Sequence, residues 1–279
     1  MKLVRFGEVG FEKPGLIDKN GDIRDLSGHI KELNGSMLSE ENLTKLGNIS
    51  IDSLPNLGRN QRLGTPVANI GKLIAIGLNY ADHAEETNSP IPTEPIVFMK
   101  AISSITGPND DVIIPKNSKK SDWEVELAFI IGKTTKNVTI DDAMSFVAGY
   151  TICNDVSERE WQLEHGSQWS KGKSFDTFAP IGPWLVTKDE INDPHNLAMW
   201  LNVNGDSMQS GNTKTMIFNI PEIISYLSSF VTLHPGDVVT TGTPPGVGMG
   251  MKPEAIFLKP GDEMHLGIDG LGEQKQKVK

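Results

Sequence analysis

Two glutamates alternate with apolar residues in the segment Asp122-Trp123-Glu124-Val125-Glu126-Leu127. Residues i and i+2 of a strand face the same side, so Glu124 and Glu126 are predicted to lie side by side. Two carboxylates that close repel each other unless a positive charge neutralises them, and no cation stands between them in the sequence. A divalent metal ion is the simplest neutraliser. The alternative is that the pair marks the solvated face of an edge strand.

A third carboxylate, Asp155, follows the apolar run that begins at Gly149. Three carboxylates, with the other positions left to water or substrate, describe an octahedral Mg²⁺ or Mn²⁺ site. Arg159 and Gln162 come next on a predicted helix, three residues apart and therefore on one face. Both could point back towards the metal, the guanidinium to bind a carboxylate and the amide to guide it by hydrogen bonding. The alternative for both is an ordinary polar surface helix.

A histidine and a glutamate also share one face of a predicted short helix, Ala81–Thr87. His83 and Glu86 stand at i and i+3, so the carboxylate can orient the imidazole as a general base towards water. Glu85 competes for the partner role, and a surface or packing histidine is the alternative. The His83–Glu86 pair therefore indicates a catalytic role only in combination with the three carboxylates.

Two lysines and one glycine-rich loop complete the candidate residues. Lys100 ends a predicted strand, and Lys173 lies in a loop next to Gly172. A lysine near a bound dicarbonyl compound would stabilise enolate charge. The segment Thr241-Gly242-Thr243-Pro244-Pro245-Gly246 lacks the lysine of a P-loop. It is interpreted as a rigid binding loop that offers backbone N–H groups and the Thr243 hydroxyl, with a simple cluster of turns as the alternative.

Many short β-type runs separated by Pro and Gly must position these residues. The predicted strands are Lys72–Ile76, Ile96–Phe98, Val125–Ile131, Gly149–Cys153, Ala198–Val203, Val238–Thr241 and Glu263–Ile268. The predicted helices are Ala81–Thr87, Ile140–Met144, Ser157–Glu164 and Pro221–Phe230. Strands this numerous, without regular alternation with helices, argue against a doubly wound sheet or a TIM barrel. The expected fold is α+β and strand-dominated.

Two domains are expected. Residues 1–65 form a small N-terminal β-rich module and connector, with an Asn20-Gly21 hairpin turn, and residues 66–279 form the catalytic domain. A net charge of −10 argues against nucleic acid as a partner. One cysteine, Cys153, and an N-terminus without a signal-peptide pattern predict a cytoplasmic protein, and the absence of long apolar runs predicts no membrane span.

The order of these segments resembles the fumarylacetoacetate hydrolase family over residues 70 to 275. The resemblance rests on Ile76–His83, Pro95–Lys100, Glu124-Val125-Glu126, Asp155 with Arg159 and Gln162, Gly172–Phe175, and Thr241–Gly248. It implies a mixed β-sandwich roll, a homodimer or higher assembly, and a small keto-acid substrate. It also implies that Glu124, Glu126 and Asp155 bind Mg²⁺ or Mn²⁺.

The same resemblance assigns roles and leaves alternatives. It implies that His83 and Glu86 activate water on a lid helix and that Lys173 stabilises enolate charge. The implied substrate-binding residues are Tyr80, Lys100, Arg159, Gln162, Gly242 and Thr243. The implied reaction is metal-dependent hydrolysis of a carbon–carbon bond in a 2,4-diketo acid, either an acylpyruvate or a 2,4-diketo-3-deoxy sugar acid. Ureidoglycolate lyase, oxaloacetate decarboxylase and a metal-stabilised binding protein remain alternatives.

Overall fold

The computed structural model describes residues 1–87 and 89–279. Its strands are β1 Lys2–Phe6, β2 Lys13–Ile17, β3 Ile23–Asp25, β4 Leu73–Gly77, β5 Ile96–Lys100, β6 Ile105–Thr106, β7 Ser121–Asp122, β8 Val125–Ile131, β9 Val147–Asn154, β10 Ser157–Glu158, β11 Ala179–Thr187, β12 Ala198–Val203, β13 Asp206–Asn212, β14 Val238–Thr240, β15 Glu263–Ile268 and β16 Gly272–Lys277. Its α-helices are α1 Glu40–Gly47, α2 Ala81–Glu86, α3 Ile140–Ala143, α4 Arg159–Leu163, α5 Ser170–Lys173 and α6 Ile220–Phe230.

One large mixed sheet organises the described residues. Its strand order is β3-β2-β1-β11-β9-β8-β14-β4-β5, and β6 pairs with β11. The β4–β14 and β6–β11 pairs are parallel, whereas the other neighbours in the sheet are antiparallel. The central strands β8 and β9 are buried along their whole length. This burial explains why their sequences read as nearly continuous apolar runs.

The register between β8 and β9 brings carboxylates from distant parts of the chain together. Val125 lies opposite Asn154, so the residues just before β8 and just after β9, Glu124 and Asp155, face each other. The Asp155 N–H donates to the Glu124 carbonyl oxygen at 2.8 Å, which extends the pairing by one step. Glu126 follows Glu124 on the same side of β8. The ends of two paired strands therefore present three carboxylates at one place.

A second, four-stranded antiparallel sheet, β13-β12-β15-β16, packs against the large sheet. The core between the sheets includes Leu127, Phe129, Leu201 and Leu266, together with the apolar face of α6. Asn219 caps α6 in a reciprocal capping box with Glu222. A second core, on the other face of the large sheet, packs side chains such as Ala128 and Ile130 against Leu46 of α1. The strand-dominated α+β fold predicted from the sequence is confirmed.

The N-terminal strands continue the large sheet, because β1 pairs with β11. The predicted hairpin joins β2 to β3, and Gly21 adopts a φ of 83° in its turn. Ser39 begins α1 by accepting a hydrogen bond from the Asn42 N–H. The domain boundary at residue 65 remains a prediction.

The predicted elements match the structure except near residues 157 and 173, and strands β11, β13 and β16 have no predicted counterpart. Strands β8, β12 and β15 have the predicted bounds. The helix predicted over Ser157–Glu164 is wrong at its start, because Ser157 and Glu158 form β10, which pairs with β7. The loop predicted around Lys173 is also wrong, since this residue ends α5. No helix among residues 1–87 and 89–279 is both long and apolar enough to cross a membrane.

Candidate active site

The carboxylates of Glu124, Glu126 and Asp155 converge in the interior. All three are buried, and one oxygen atom of each lies within 4.8 Å of the others. The alternative of a solvated strand face is therefore wrong, since Glu124 is 5% exposed and Glu126 is 2% exposed. Charges buried this close require compensating positive charge or metal ligation.

Three cations from other parts of the chain reach these carboxylates. Lys173 Nζ lies 2.5 Å from Glu124 Oε2 and 2.8 Å from Asp155 Oδ2. Lys100 Nζ lies 2.5 Å from Asp155 Oδ1, and an Arg159 terminal nitrogen lies 2.7 Å from Glu124 Oε1. The prediction of a metal ion as the simplest neutraliser did not include these three cations, because they are distant from Glu124 and Glu126 in the sequence.

Of these three carboxylates, Glu126 is the one to which the described residues offer no ion pair. It accepts a hydrogen bond from the Gly242 N–H at 3.0 Å. Burial, together with the charges of Asp155 and Glu124, raises the pKa of Glu126 well above its ordinary value. Burial also acts to raise the pKa of Glu124, but the charges of Lys173 and Arg159 outweigh it and lower that pKa to about 2. The positive charge is thus distributed unevenly over the three groups.

The donor set fits a hard divalent cation. Carboxylate oxygens are the ligands that Mg²⁺ and Mn²⁺ prefer, and three of them leave coordination positions for water or substrate. Within this cluster of ion pairs, four buried carboxylates, those of the triad and Asp122, stand against the three cations Lys100, Lys173 and Arg159. These groups carry one excess negative charge, and a bound divalent cation would convert it into one excess positive charge. Glu124, Glu126 and Asp155 are therefore the residues that would hold it.

The predicted His83–Glu86 pair forms in α2. His83 Nδ1 lies 3.1 Å from Glu86 Oε2, and Glu86 accepts a hydrogen bond from the Gly246 N–H at 3.0 Å. With Nδ1 bound to the carboxylate, the other ring nitrogen, Nε2, is left to act on water or substrate. Gly246 has a φ of 100°, and a Cβ there would lie 2.0 Å from the Met208 carbonyl oxygen. Only glycine, which has no Cβ, allows the backbone at position 246 to lie this close to Met208.

Arg159 and Gln162 lie on one face of α4, as predicted. Arg159 Nη1 donates to Gln162 Oε1 at 2.9 Å, and Arg159 Nε donates to Asp122 Oδ2 at 2.8 Å. Asp122 is fully buried, and the sequence reasoning gave it no role. The signal was present, because Asp122 precedes Glu124 by two residues and continues the same alternation.

The glycine-rich loop directs its backbone donors at protein carboxylates. The N–H groups of Gly242, Gly246 and Gly248 donate to Glu126, Glu86 and Asp122. The Thr243 hydroxyl donates to the Val125 carbonyl oxygen at 2.9 Å and accepts from Gln209 Nε2 at 2.8 Å. These donors, which were predicted to serve a bound molecule, here fix protein groups, and the rigidity of the loop remains a prediction.

A cavity of about 240 Å³ opens above the carboxylates. Its polar lining comprises His83, Thr87, Ser89, Glu124, Glu126, Arg159, Gln162, Lys173 and Thr243, and Gly242 contributes backbone. Its apolar lining comprises Ile76, Leu78, Phe98, Leu163, Trp169 and Met249. Most of the predicted site residues therefore meet around one space. This volume lies just below the range of about 300–1,000 Å³ typical of pockets for drug-sized ligands, so the cavity suits a small substrate.

Two predicted substrate-binding residues are not part of this lining. Tyr80 is fully buried, and its hydroxyl lies 3.3 Å from Met199 Sδ. Burial raises the pKa of that hydroxyl. Lys100 lies beneath the cavity and contacts Asp155 and the Val156 carbonyl oxygen. Substrate contact by these two residues remains a prediction that the present arrangement does not support.

Comparisons with known proteins agree with this geometry. Residues 72–279 match the model of the C-terminal domain of fumarylacetoacetate (FAA) hydrolase. The chain is 59% identical to a 2,4-didehydro-3-deoxy-L-rhamnonate hydrolase from Sphingomonas sp. (strain SKA58), over all of this chain and 96% of the relative.

Two solved structures share the fold along the whole chain. Fumarylacetoacetate hydrolase from Exiguobacterium antarcticum is 36% identical with a TM-score of 0.88, and the match covers 99% of that chain. Maleylpyruvate hydrolase from Sphingobium sp. SYK-6, in complex with manganese(II) and pyruvate, is 30% identical with a TM-score of 0.84, over 98% of that chain.

Proposed function

Because the chain belongs to the fumarylacetoacetate hydrolase family, we propose that it hydrolyses the carbon–carbon bond of a 2,4-diketo-3-deoxy sugar acid or a similar acylpyruvate. The observation that carries this proposal is the convergence of three buried carboxylates beneath a cavity that also contains His83. A structural metal site has no need of an imidazole held by a carboxylate at the cavity wall. This feature argues against the metal-stabilised binding protein.

The chain's own residues supply acid–base chemistry in this reaction. His83 takes a proton from water through Nε2, while Glu86 holds the imidazole through Nδ1. The water oxygen adds to the C4 carbonyl, the C3–C4 bond breaks, and its electron pair remains on the C3 fragment as an enolate. Protonation of that enolate gives a 2-oxo acid, and the other product is a carboxylic acid.

Lys173 and the triad stabilise the charge that develops. Lys173 Nζ has three N–H donors, of which Glu124 and Asp155 engage two, so one remains for substrate. Mg²⁺ or Mn²⁺ held by Glu124, Glu126 and Asp155 would supply Lewis-acid stabilisation of negative oxygen.

Charge and lining favour a substrate with one carboxylate. A divalent cation would turn the deficit of one buried charge into an excess of one, which a single substrate carboxylate balances. Arg159 and Lys173, the cations of the described lining, are already paired with Asp122, Glu124 and Asp155. Thr87, Ser89 and the apolar side chains suit an uncharged, hydroxylated end. A dicarboxylate such as maleylpyruvate fits this balance less well.

A substrate panel with the purified protein and Mg²⁺ tests the proposal. A 2,4-diketo-3-deoxy sugar acid should have a higher kcat/KM than maleylpyruvate, oxaloacetate or ureidoglycolate. Preference for ureidoglycolate would identify a lyase, and preference for oxaloacetate would identify a decarboxylase. Either result would replace hydrolysis as the function. The predicted homodimer and cytoplasmic location remain predictions.

A charge placed at the cavity sharpens the substrate test. Leu163 lines the cavity at the end of α4 and is 46% exposed. Leu163→Lys should raise the kcat/KM for maleylpyruvate relative to the sugar acid by roughly fivefold, the effect of a partly exposed ion pair. Leu163→Gln is the matched control, because it adds polarity without charge. An equal change in both variants would contradict the charge argument.

A further inference from the structure

Asp122 stands where three parts of the active site meet, although it does not line the cavity. It ends β7, two residues before Glu124, and is completely buried. Its oxygens receive hydrogen bonds from the backbone N–H groups of Trp123, Gly248 and Met249 at 2.8, 2.7 and 3.1 Å. Two nitrogens of Arg159 also lie 2.8 Å from Oδ2. One carboxylate therefore joins β8, α4 and the glycine-rich loop.

The loop that Asp122 holds is also the loop that holds Glu86. The Gly246 N–H donates to Glu86, while the neighbouring Trp123 Nε1 donates to the Gly246 carbonyl oxygen at 3.0 Å. Movement of Gly248 would therefore move the donor that fixes Glu86, and through it His83. At the same time Asp122 fixes the guanidinium of Arg159, whose terminal nitrogen Nη2 contacts both Asp122 and Glu124.

We propose that Asp122 is a positioning residue that locks Arg159 and the Glu86-bearing end of the glycine-rich loop into a single catalytically competent arrangement. It acts without touching substrate. Its two oxygens face donors only, with Gly248 and Trp123 at Oδ1 and Met249 and Arg159 at Oδ2. An acid here cannot be replaced by its amide, because the NH₂ group would face donors in either orientation.

The first test is Asp122→Asn, with Asp122→Ser as a second variant in case the amide prevents folding. Loss of such a supporting contact should lower the kcat/KM for an acylpyruvate by roughly 10- to 100-fold. Asp237→Asn is the matched control. Asp237 is also buried, accepts a hydrogen bond from the His234 N–H and pairs with Lys72. It precedes β14, whereas the glycine-rich loop follows β14, so Asp237 lies at the end of this strand that is remote from the loop. A comparable loss in the control would overturn the proposal.

The second test needs no turnover, and so separates this inference from the proposed function on which its kinetic readout rests. Hydrogen exchange in Asp122→Asn should accelerate both at Gly248–Met251 and in α2, Ala81–Glu86, whereas Asp237→Asn should leave both segments unchanged. Faster exchange confined to Gly248–Met251 would reduce Asp122 to a local structural role and overturn the proposal.

Double variants identify the route of the effect. If Asp122 acts through Arg159 and Glu86, then Asp122→Asn combined with Arg159→Lys or Glu86→Gln should lose less activity than the product of the single losses. Fully multiplicative losses in both pairs would contradict the coupling.

Discussion

The active site and a charge network close to the N-terminus each contain ion pairs, and the carboxylates of the two clusters have different surroundings. The N-terminal charge network consists of Arg5, Glu12, Glu32 and Arg62, from the predicted N-terminal module, together with Asp110. Both clusters contain one more carboxylate than cations. In the network, however, Glu32 is 30% exposed, so water can solvate the excess charge. In the active site the carboxylate without an ion pair is Glu126, which is buried.

The pKa shifts show the consequence of this difference. Burial acts to raise the pKa values of Glu12 and Asp110, but hydrogen bonds and positive charge, those of Arg62 foremost, together outweigh it and lower both. Burial and two neighbouring carboxylates instead raise the pKa of Glu126. In the N-terminal charge network every carboxylate has an arginine partner. In the active site Glu126 has no cationic partner among the described residues and is therefore available to a further cation. Four experiments can break or sharpen this comparison.

The largest effect is expected for Glu126→Gln. Removing this charge while preserving shape should abolish Mn²⁺ binding and activity, because the cation supplies several kcal/mol of charge stabilisation. The metal-free protein should unfold at an unchanged or higher urea concentration, since an unpaired buried charge is removed. Calorimetric Mn²⁺ titration and urea unfolding measure both quantities. Lower stability of the metal-free variant would mean that Glu126 is already balanced within the fold.

His83→Ala should reduce the kcat for diketo-acid hydrolysis by roughly 10²–10⁴-fold, the contribution of a positioned general base. Mn²⁺ affinity should stay nearly unchanged, because His83 is not one of the three carboxylate ligands. Any oxaloacetate decarboxylation should survive better than hydrolysis, since it requires no attacking water. Equal loss of both activities would assign His83 to binding and not to water activation.

Arg62→Gln should lower the free energy of unfolding by about 1–2 kcal/mol at neutral pH and leave kcat unchanged. The pKa values of Glu12 and Asp110 are lowered on folding, so their contribution exists above the ordinary values of 4.5 and 3.8 and disappears as pH falls through the lowered ones. The difference from the wild type should therefore shrink in acid. Arg59→Gln is the control, because the Arg59 side chain that pairs with Asp22 is 66% exposed. This variant should lower the free energy of unfolding by less than Arg62→Gln does.

The smallest effect is expected in α2, the predicted lid. Its sequence, Ala81–Glu86, has few apolar residues, and Glu86 holds it to the loop through Gly246. Hydrogen exchange across Asp82–Thr87 should slow when oxalate and Mn²⁺ bind together. Asn88, the last residue of the predicted lid, lies outside the described residues. Equal exchange with and without ligands would argue against lid closure.

Local pattern predicted the central strands β8 and β9 but missed their neighbour β11 and the strands β13 and β16 of the second sheet. Val125–Ile131 and Glu263–Ile268 have clear strand composition, and their predicted bounds are correct. Ser157 and Glu158 were predicted to begin a helix, but they form a strand that pairs with Ser121 and Asp122. These partners are more than thirty residues away in the sequence, so a local pattern cannot reveal the pairing. The family, the strand-dominated fold and the class of reaction are confirmed by the comparisons.

The sequence was sufficient to predict which residue types form the site, but not which cations contact its carboxylates. The alternation of Glu124 and Glu126 indicated a cation site, and the β8–β9 register brings Asp155 to it. The lysines that contact these acids are distant in sequence, and only the folded chain places Lys173 between Glu124 and Asp155. The individual roles of the site residues remain predictions.

One titration tests the central claim most directly. Metal-depleted protein should hydrolyse an acylpyruvate negligibly, and addition of Mn²⁺ should restore the rate in proportion to occupancy of one ion per chain. Binding and rate should be measured on the same sample, by electron paramagnetic resonance of free Mn²⁺ and by loss of the diketo absorbance. Full activity in the depleted protein, or saturation by Mn²⁺ without a change in rate, would contradict the account.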